Sequence, residues 1–437
     1  VVVIGGGVVG ASVLYHLTVA GWTDVVLVEK ATYTSGSTWH AAGGMHTLNG
    51  DPNVARLQQY TVNLYKQIEA ESGQNCGIHL PGGIQLADTP ERLDWLRMAQ
   101  ARGRYLGMHM EIISVKEAKE LNPLLEEKYF VGALFDEDEG SVDPTGVTHA
   151  YTICARNRGA EVYQHTWVNA LERCADGTWN VHTFNPETGE AKGTINAEHV
   201  VNAGGLWARE VGRMAGLELP VLAMEHHYLM TEPMPEVIEY NQTHGRELPH
   251  MIDFAGEIYA RQEGQSILLG TYEQDNRVWS ARTTPWDFVS QLLPHDLDRI
   301  SPELERAFDH FPAVGRAGNR RVETRHGSAG VEEESQHAAS STRSRRTFAR
   351  QGHRTPRRGT GPPRRGNRLH RTRPPRRATR YMPGEGRCRR GVLALARRRS
   401  RIDRDGTLTP PSRVEVRTQM PVSAGTRPDF TARCNAS

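Results

Sequence analysis

The stretch VVVIGGGVVGASVLYHLTVAGWTDVVLVEK, residues 1–30, constrains the fold of this chain more than any other. Val1–Ile4 reads as a buried strand. Gly5-Gly6-Gly7-Val8-Val9-Gly10 fits G-x-G-x-x-G, and an apolar helix follows through Leu17 and ends near Gly21. Val25–Val28 is a second apolar strand, ending at Glu29, 19 positions after Gly10. Gly5, Gly7 and Gly10 permit a tight turn and a close backbone approach to a pyrophosphate. The helix start at Val8 and Val9 offers that anion N–H groups and a positive dipole end. Glu29, followed by Lys30, can accept hydrogen bonds from ribose hydroxyls. A glycine motif alone is weak evidence. Here the strand before it, the helix after it and the acid at the right distance together point to a dinucleotide-binding α/β unit.

The next segment, SGSTWHAAGG, sets one imidazole, His40, and the neighbouring Trp39 among small residues: Gly36, Ser37, Thr38, Ala41, Ala42 and Gly43. Small residues let a backbone lie against a flat ligand. A lone His40 there is packing, capping or chemistry. The segment resembles the one after the second strand in the dimethylglycine dehydrogenase and sarcosine dehydrogenase family, flavoproteins of the D-amino-acid-oxidase-like superfamily. The resemblance runs over about residues 1–318 and takes in VVNAGGLWA, AMEHHYLMTE and IYARQEG with LLGTYE. It implies FAD as cofactor, bonded covalently through His40 to the flavin 8α-methyl. It also implies that the backbone of Val168 touches the adenine side and that Ala203, Gly204 and Trp207 line the FAD. By the same resemblance His226 and Tyr259 are the catalytic residues over the flavin.

His226 would position the substrate amine or help keep it unprotonated, since an ammonium cannot release hydride from its methyl group. Tyr259 would orient substrate through its hydroxyl. Strand alternation puts Arg261 on the face of Tyr259 and His227 on the face opposite His226. Arg261 then either pairs with a substrate carboxylate or forms a structural ion pair. The implied reaction is oxidation of an N-methyl amino acid such as dimethylglycine or sarcosine. Hydride passes to flavin N5, and the iminium yields formaldehyde or donates its carbon to tetrahydrofolate. Larger family members carry a folate-binding domain that this sequence does not show. Oxygen or an electron-transfer flavoprotein would accept the electrons.

The expected fold class is α/β: a Rossmann-like FAD-binding domain (residues 1–80 and 140–215) with a second, α+β substrate domain (81–139 and 216–318) containing an antiparallel sheet. Asp51 and Asp143, each followed by Pro, and Ser114 of SVKE read as helix starts. Val54, Leu57, Thr61, Leu64 and Ile68 read as the core face of the helix that Asp51 caps.

Composition matters most after Gly318. Up to that residue 23 Lys and Arg face 42 Asp and Glu; beyond it stand 30 Arg, no Lys and 9 acids. Residues 319–437 are also rich in Pro, Gly, Ser and Thr, so disorder is predicted there. An out-of-frame reading of a GC-rich gene produces this composition. The alternative is an inactive, truncated flavoprotein whose basic tail binds nucleic acid; without a genuine tail no nucleic-acid partner is expected. The five cysteines form no CxxC pair and no metal site is expected. No apolar run approaches the ~18 residues of a membrane span. A cytoplasmic setting of bacterial type fits, or the mitochondrial matrix for a eukaryotic source.

Overall fold

A computed structural model of the chain describes residues 1–329 apart from Asp275, with residues 319–329 described by their backbone only. Four strands form a parallel sheet in the order Val200–Asn202, Val2–Ile4, Val26–Val28, Glu161–Tyr163. Its two central strands are apolar at every position because both faces are covered. Val3 and Leu27 pack under the helices Val8–Val19 and Pro144–Asn157 through Leu14 and Ala155. Val2, Ile4 and Val28 pack on the other face against Val168, Val181 and Val211. Val168 and Val181 belong to an antiparallel meander of Trp167–Arg173, Trp179–Phe184 and Ala191–Ala197.

A second, mixed sheet draws its strands from residues 83–136 and 222–329. Along it run Val278–Ser280, Leu222–Thr231, Ser266–Thr271, Ile258–Glu263, His250–Asp253, Gly83–Ala87, Gly132–Asp136 and Met110–Ile113. The pair His250–Asp253 with Gly83–Ala87 is parallel, and the other pairs in this sheet are antiparallel. One face buries the largest apolar cluster, including Ile84, Leu229, Met251, Leu269 and Phe311, against the helices Pro235–His244 and Leu297–His310.

The helix starts read from sequence are present. Asp51 accepts from the amides of Asn53 and Val54, Asp143 from Thr145 and Gly146, and Ser114 with Glu117 forms a capping box. Two expectations are corrected. Leu57 is 62% exposed, and the buried stripe of its helix runs through Ala55, Val62, Leu64 and Ile68 instead. The helix lies with its axis rotated so that alanine and valine, not Leu57, meet the core. Disorder expected from residue 319 gives way to a strand, Asn319–Ala329, paired antiparallel along Leu222–Thr231. That ten-residue strand would otherwise leave a row of backbone groups unpaired, and a strand beside it satisfies them. Residues 330–437, with the remaining Arg-rich sequence, lie outside the described residues.

Candidate active site

The strands ending at Ile4, Val28 and Asn202 all turn at the same edge of the parallel sheet, the edge where open α/β sheets bind ligands. Gly5 turns with φ +114°, and a Cβ on it would lie 2.2 Å from the Ala203 carbonyl oxygen. A Cβ on Gly10 would lie 2.0 Å from the Gly5 oxygen. Both glycines are therefore demanded by packing within the turn. Gly5, Gly7, Val8 and Val9 line a cavity of about 1240 Å³, whereas Gly10 sits behind it. The Val8 amide donates to Thr38 Oγ1 at 3.0 Å. Glu29 lines the same cavity, its carboxylate accepting from the amides of Gly6 (2.6 Å) and Ala31 (2.9 Å). Burial pushes the Glu29 carboxyl above its ordinary range, against the pull of those amides. Lys30 Nζ stands 3.8 Å over the Trp207 ring and donates to the carbonyls of Trp286 and Phe288. Burial brings its ammonium down to about 8.

The motif of residues 36–43 runs along the cavity as a short turn of helix, Ser37–His40. Gly36, Ser37, Thr38, His40, Ala41, Ala42 and Gly43 line it. Trp39 does not; its ring packs on that of His40, with centroids 4.1 Å apart. His40 is 1% exposed, with Nε2 3.1 Å from the Gln291 carbonyl oxygen. Gly43, at φ +74°, lets the chain pass the Val142 carbonyl, which a Cβ would meet at 2.2 Å. Val168, Ala203, Gly204 and Trp207 complete this part of the wall.

The mixed sheet supplies the rest. His226, Tyr259 and Arg261 all line the cavity. The rings of His226 and Tyr259 stack at 6.4 Å, and Tyr272 lies 5.3 Å from Tyr259. Tyr259 faces Gly270 across the ladder, and a Cβ on Gly270 would fall 2.0 Å from its Cζ. The tyrosine ring therefore lies flat over the glycine, which holds it toward the cavity. Arg261 Nε donates to the Ala42 carbonyl at 2.7 Å, and Nη1 pairs with Glu263 at 2.6 Å. A structural ion pair and a place on the cavity wall thus coexist at Arg261.

Sequence reasoning missed Glu273. Between Met224, paired with Val278, and Tyr228, paired with Gly270, this edge of the strand carries no ladder pairs among the described residues. The Glu273 carboxylate, 1% exposed, reaches both histidines: 3.3 Å to His226 Nδ1 and 3.7 Å to His227 Nδ1. Burial alone would raise its pKa, but the hydrogen bond and charge of His226 hold it well below the carboxylate range. His227 is fully buried and off the cavity, and Arg299 Nη2 donates to its Nδ1 at 2.6 Å. Arg299 also pairs with Glu225 at 2.8 Å. Two other cavity residues, His46 and His250, carried no sequence signal. Among the described residues no group of three or more metal-ligating side chains occurs, and no helix is long and apolar enough to cross a membrane.

A glycine-rich turn at the carboxyl edge of a parallel sheet, opening into a cavity shared with a mixed sheet, defines an α/β protein of the dinucleotide-binding class. Residues 1–356 match the FAD dependent oxidoreductase family, and the chain belongs to it. Over 321 residues it is 38% identical to the mitochondrial dimethylglycine dehydrogenase of Mus musculus, a match covering 72% of this chain and 36% of that protein. It is 31% identical over 319 residues to the mitochondrial sarcosine dehydrogenase of Homo sapiens, covering 73% and 33%. The matched region thus spans about a third of the length of these relatives. The crystal structure of L-proline dehydrogenase from P. horikoshii shares the fold, with a TM-score of 0.63 at 24% identity over 74% of this chain and 80% of that one.

Proposed function

We propose that this FAD-dependent oxidoreductase demethylates a small N-methyl amino acid, with dimethylglycine and sarcosine the leading substrates. The carrying observation is that His40, His226, Tyr259 and Arg261 line the same cavity as the glycine turn and Glu29. The residues present suit FAD: an anion-binding turn kept open by Gly5, a buried acid for the ribose, and a small-residue strip for the ring. When bound, the flavin would supply the two-electron acceptor, and on this reading His40 would tie it down covalently.

The remaining chemistry belongs to the chain. The Glu273 carboxylate takes the Nδ1 side of His226, which leaves the other ring nitrogen to meet the substrate amine. The amine must be neutral when its methyl group gives up hydride, because an ammonium has no lone pair to stabilise the iminium. His226 is placed to accept that proton. Tyr259, pinned over Gly270, fixes the substrate through its hydroxyl. Water then adds to the iminium, and the adduct separates into formaldehyde and the demethylated amine. Oxygen or an electron-transfer flavoprotein would re-oxidise the cofactor.

The test uses the full chain loaded with FAD and supplied with dimethylglycine, sarcosine or N-methylalanine. Formaldehyde and demethylated amine should appear in equal amounts from at least one of them. Failure of all three to bleach the flavin under anaerobic conditions would refute the reading.

A further inference from the structure

A second imidazole–carboxylate pair borders the same cavity. The short strand Gly44–Met45 pairs with Gly140–Ser141, which brings His46 beside Glu139. His46 Nδ1 lies 3.1 Å from Glu139 Oε2, and Gln85 Nε2 donates to the other carboxylate oxygen at 3.3 Å. Glu139 is fully buried, seated over Gly83, where a Cβ would lie 1.9 Å from Oε2. Asp136 is fully buried as well and accepts from Thr47 Oγ1. Neither acid reaches the cavity wall; His46 does, and so does Gly44. A side chain on Gly44 would begin 3.4 Å from His46 Nε2, so the glycine leaves that nitrogen uncovered.

The charged and titratable groups around this imidazole are Glu139, Asp136 and His250, and Arg261 acts on His250 from the same cavity wall. Burial would lower the His46 pKa, but the charge and hydrogen bond of Glu139, with Asp136 beyond, hold it above the ordinary imidazole value. Burial, then the charges of His46 and Arg261, press His250 well below that value. Its ring lies 6.4 Å from that of His46. Arg261, on the same wall, has for its partner a Glu263 side chain 46% exposed and so screened by water. The acids thus sit behind the wall and the cationic tips sit on it.

We propose that His46 and Arg261 together hold the carboxylate of the substrate, Glu139 being the positioning residue that turns His46 Nε2 toward the cavity. The proposal rests on the amino-acid reading above and identifies the second cation that reading lacks. A carboxylate has two oxygens to satisfy once it leaves water, and Arg261 already spends Nε on Ala42. A protonated imidazole supplies the missing charged donor.

The test is calorimetric binding to the FAD-loaded full chain of (methylthio)acetate and of its amide. Both carry sulfur in place of nitrogen, so no amine proton enters the titration. The acid should bind more tightly than the amide, and the preference should fall as pH rises through the His46 titration, above 6.5. His46→Gln should weaken the acid roughly 10- to 100-fold, the loss of one charged hydrogen bond, remove the pH dependence, and leave the amide nearly unchanged. Glu139→Gln, which keeps His46, should move the pH midpoint downward. Wild-type acid-to-amide preference in His46→Gln at every pH would overturn the proposal and leave the amino-acid reading intact. Failure of the wild type to prefer the acid at any pH would overturn both.

Discussion

Replacing Gly270 by Ala tests how the site is held together. The new Cβ would lie 2.0 Å from Tyr259 Cζ and 2.3 Å from Cε1 and Oη, where ordinary contact is 3.4–4 Å. An overlap of well over 1 Å must be relieved. The backbone cannot yield easily, because Gly270 pairs with Tyr259 on one side and Tyr228 on the other. The ring must therefore leave its place. Overpacking of this kind costs about 1–3 kcal/mol, partly offset by the ~0.5–1 kcal/mol that Ala gains over Gly in a strand. The expected result is a modestly less stable protein with kcat/KM for the N-methyl substrate reduced at least ~10-fold, the scale set by a displaced positioning group. The assay is a double-mutant cycle read by chemical denaturation and by anaerobic flavin reduction. In a Tyr259→Ala background the same Gly270→Ala change should be neutral or stabilising, since nothing remains to clash. If Gly270→Ala leaves both stability and turnover at wild-type level, the ring does not rest on the glycine. A loss that persists without the tyrosine refutes the argument as well.

Three further outcomes follow from the charges and the motif. Burial, then the neighbouring Glu139, push the Asp136 carboxyl up to about 7 against an unfolded value near 3.8, so folding favours its protonated form. Asp136→Asn should then stabilise the fold above pH 7 by on the order of 1–3 kcal/mol, with the gain vanishing toward pH 4, as melting curves across pH would show. Glu273 is held below its unfolded value, so its contribution is present above pH ~4.5 and lost in acid. Glu273→Gln should cost about 2–4 kcal/mol at pH 7, with the cost shrinking progressively as the pH falls below ~4.5, and flavin reduction should slow as His226 loses its acceptor. His40→Ala should release flavin on acid precipitation, while His182→Ala, on an exposed meander strand, should retain it. Equal retention in both would show that His40 is not the point of attachment.

The parts of the fold legible in sequence are those whose causes are local. The strand, turn and helix of residues 1–29 are fixed by neighbours in the chain, as are the caps at Asp51, Ser114 and Asp143. The segment around His40 was legible as a strip rich in small residues, and most of it lines the cavity. The illegible parts are made by long closures. His46 meets Glu139 across 93 positions, and Arg299 meets His227 across 72. FDEDEG, which carries Asp136 and Glu139, reads as a polar turn; only the pairing of its flanking strands buries two of its acids completely. Leu57 was misread because a periodic apolar stripe states a spacing but not which way the helix is rotated against its neighbour.

The glycines outside the motif bear on the same point. Gly83 makes room for the Glu139 carboxylate, Gly44 leaves His46 Nε2 uncovered, and Gly270 carries the Tyr259 ring. None of the three has the positive φ that would explain a glycine by backbone conformation. Each is instead a space for another residue's functional group. In a sheet, a missing Cβ weakens the strand and packs nothing of its own, so its presence asks for a reason from across the ladder. Here the reason is the site each time. Gly5 and Gly10 keep the turn beside the cavity open, Gly83 and Gly270 make room within the mixed sheet, and Gly44 makes room from the two-stranded sheet it shares with Gly140–Ser141. It follows that alanine at Gly83 or Gly270 should damage ligand binding more than folding. Alanine at Gly5 or Gly10, where the obstructing atoms are backbone oxygens that cannot swing aside, should damage both.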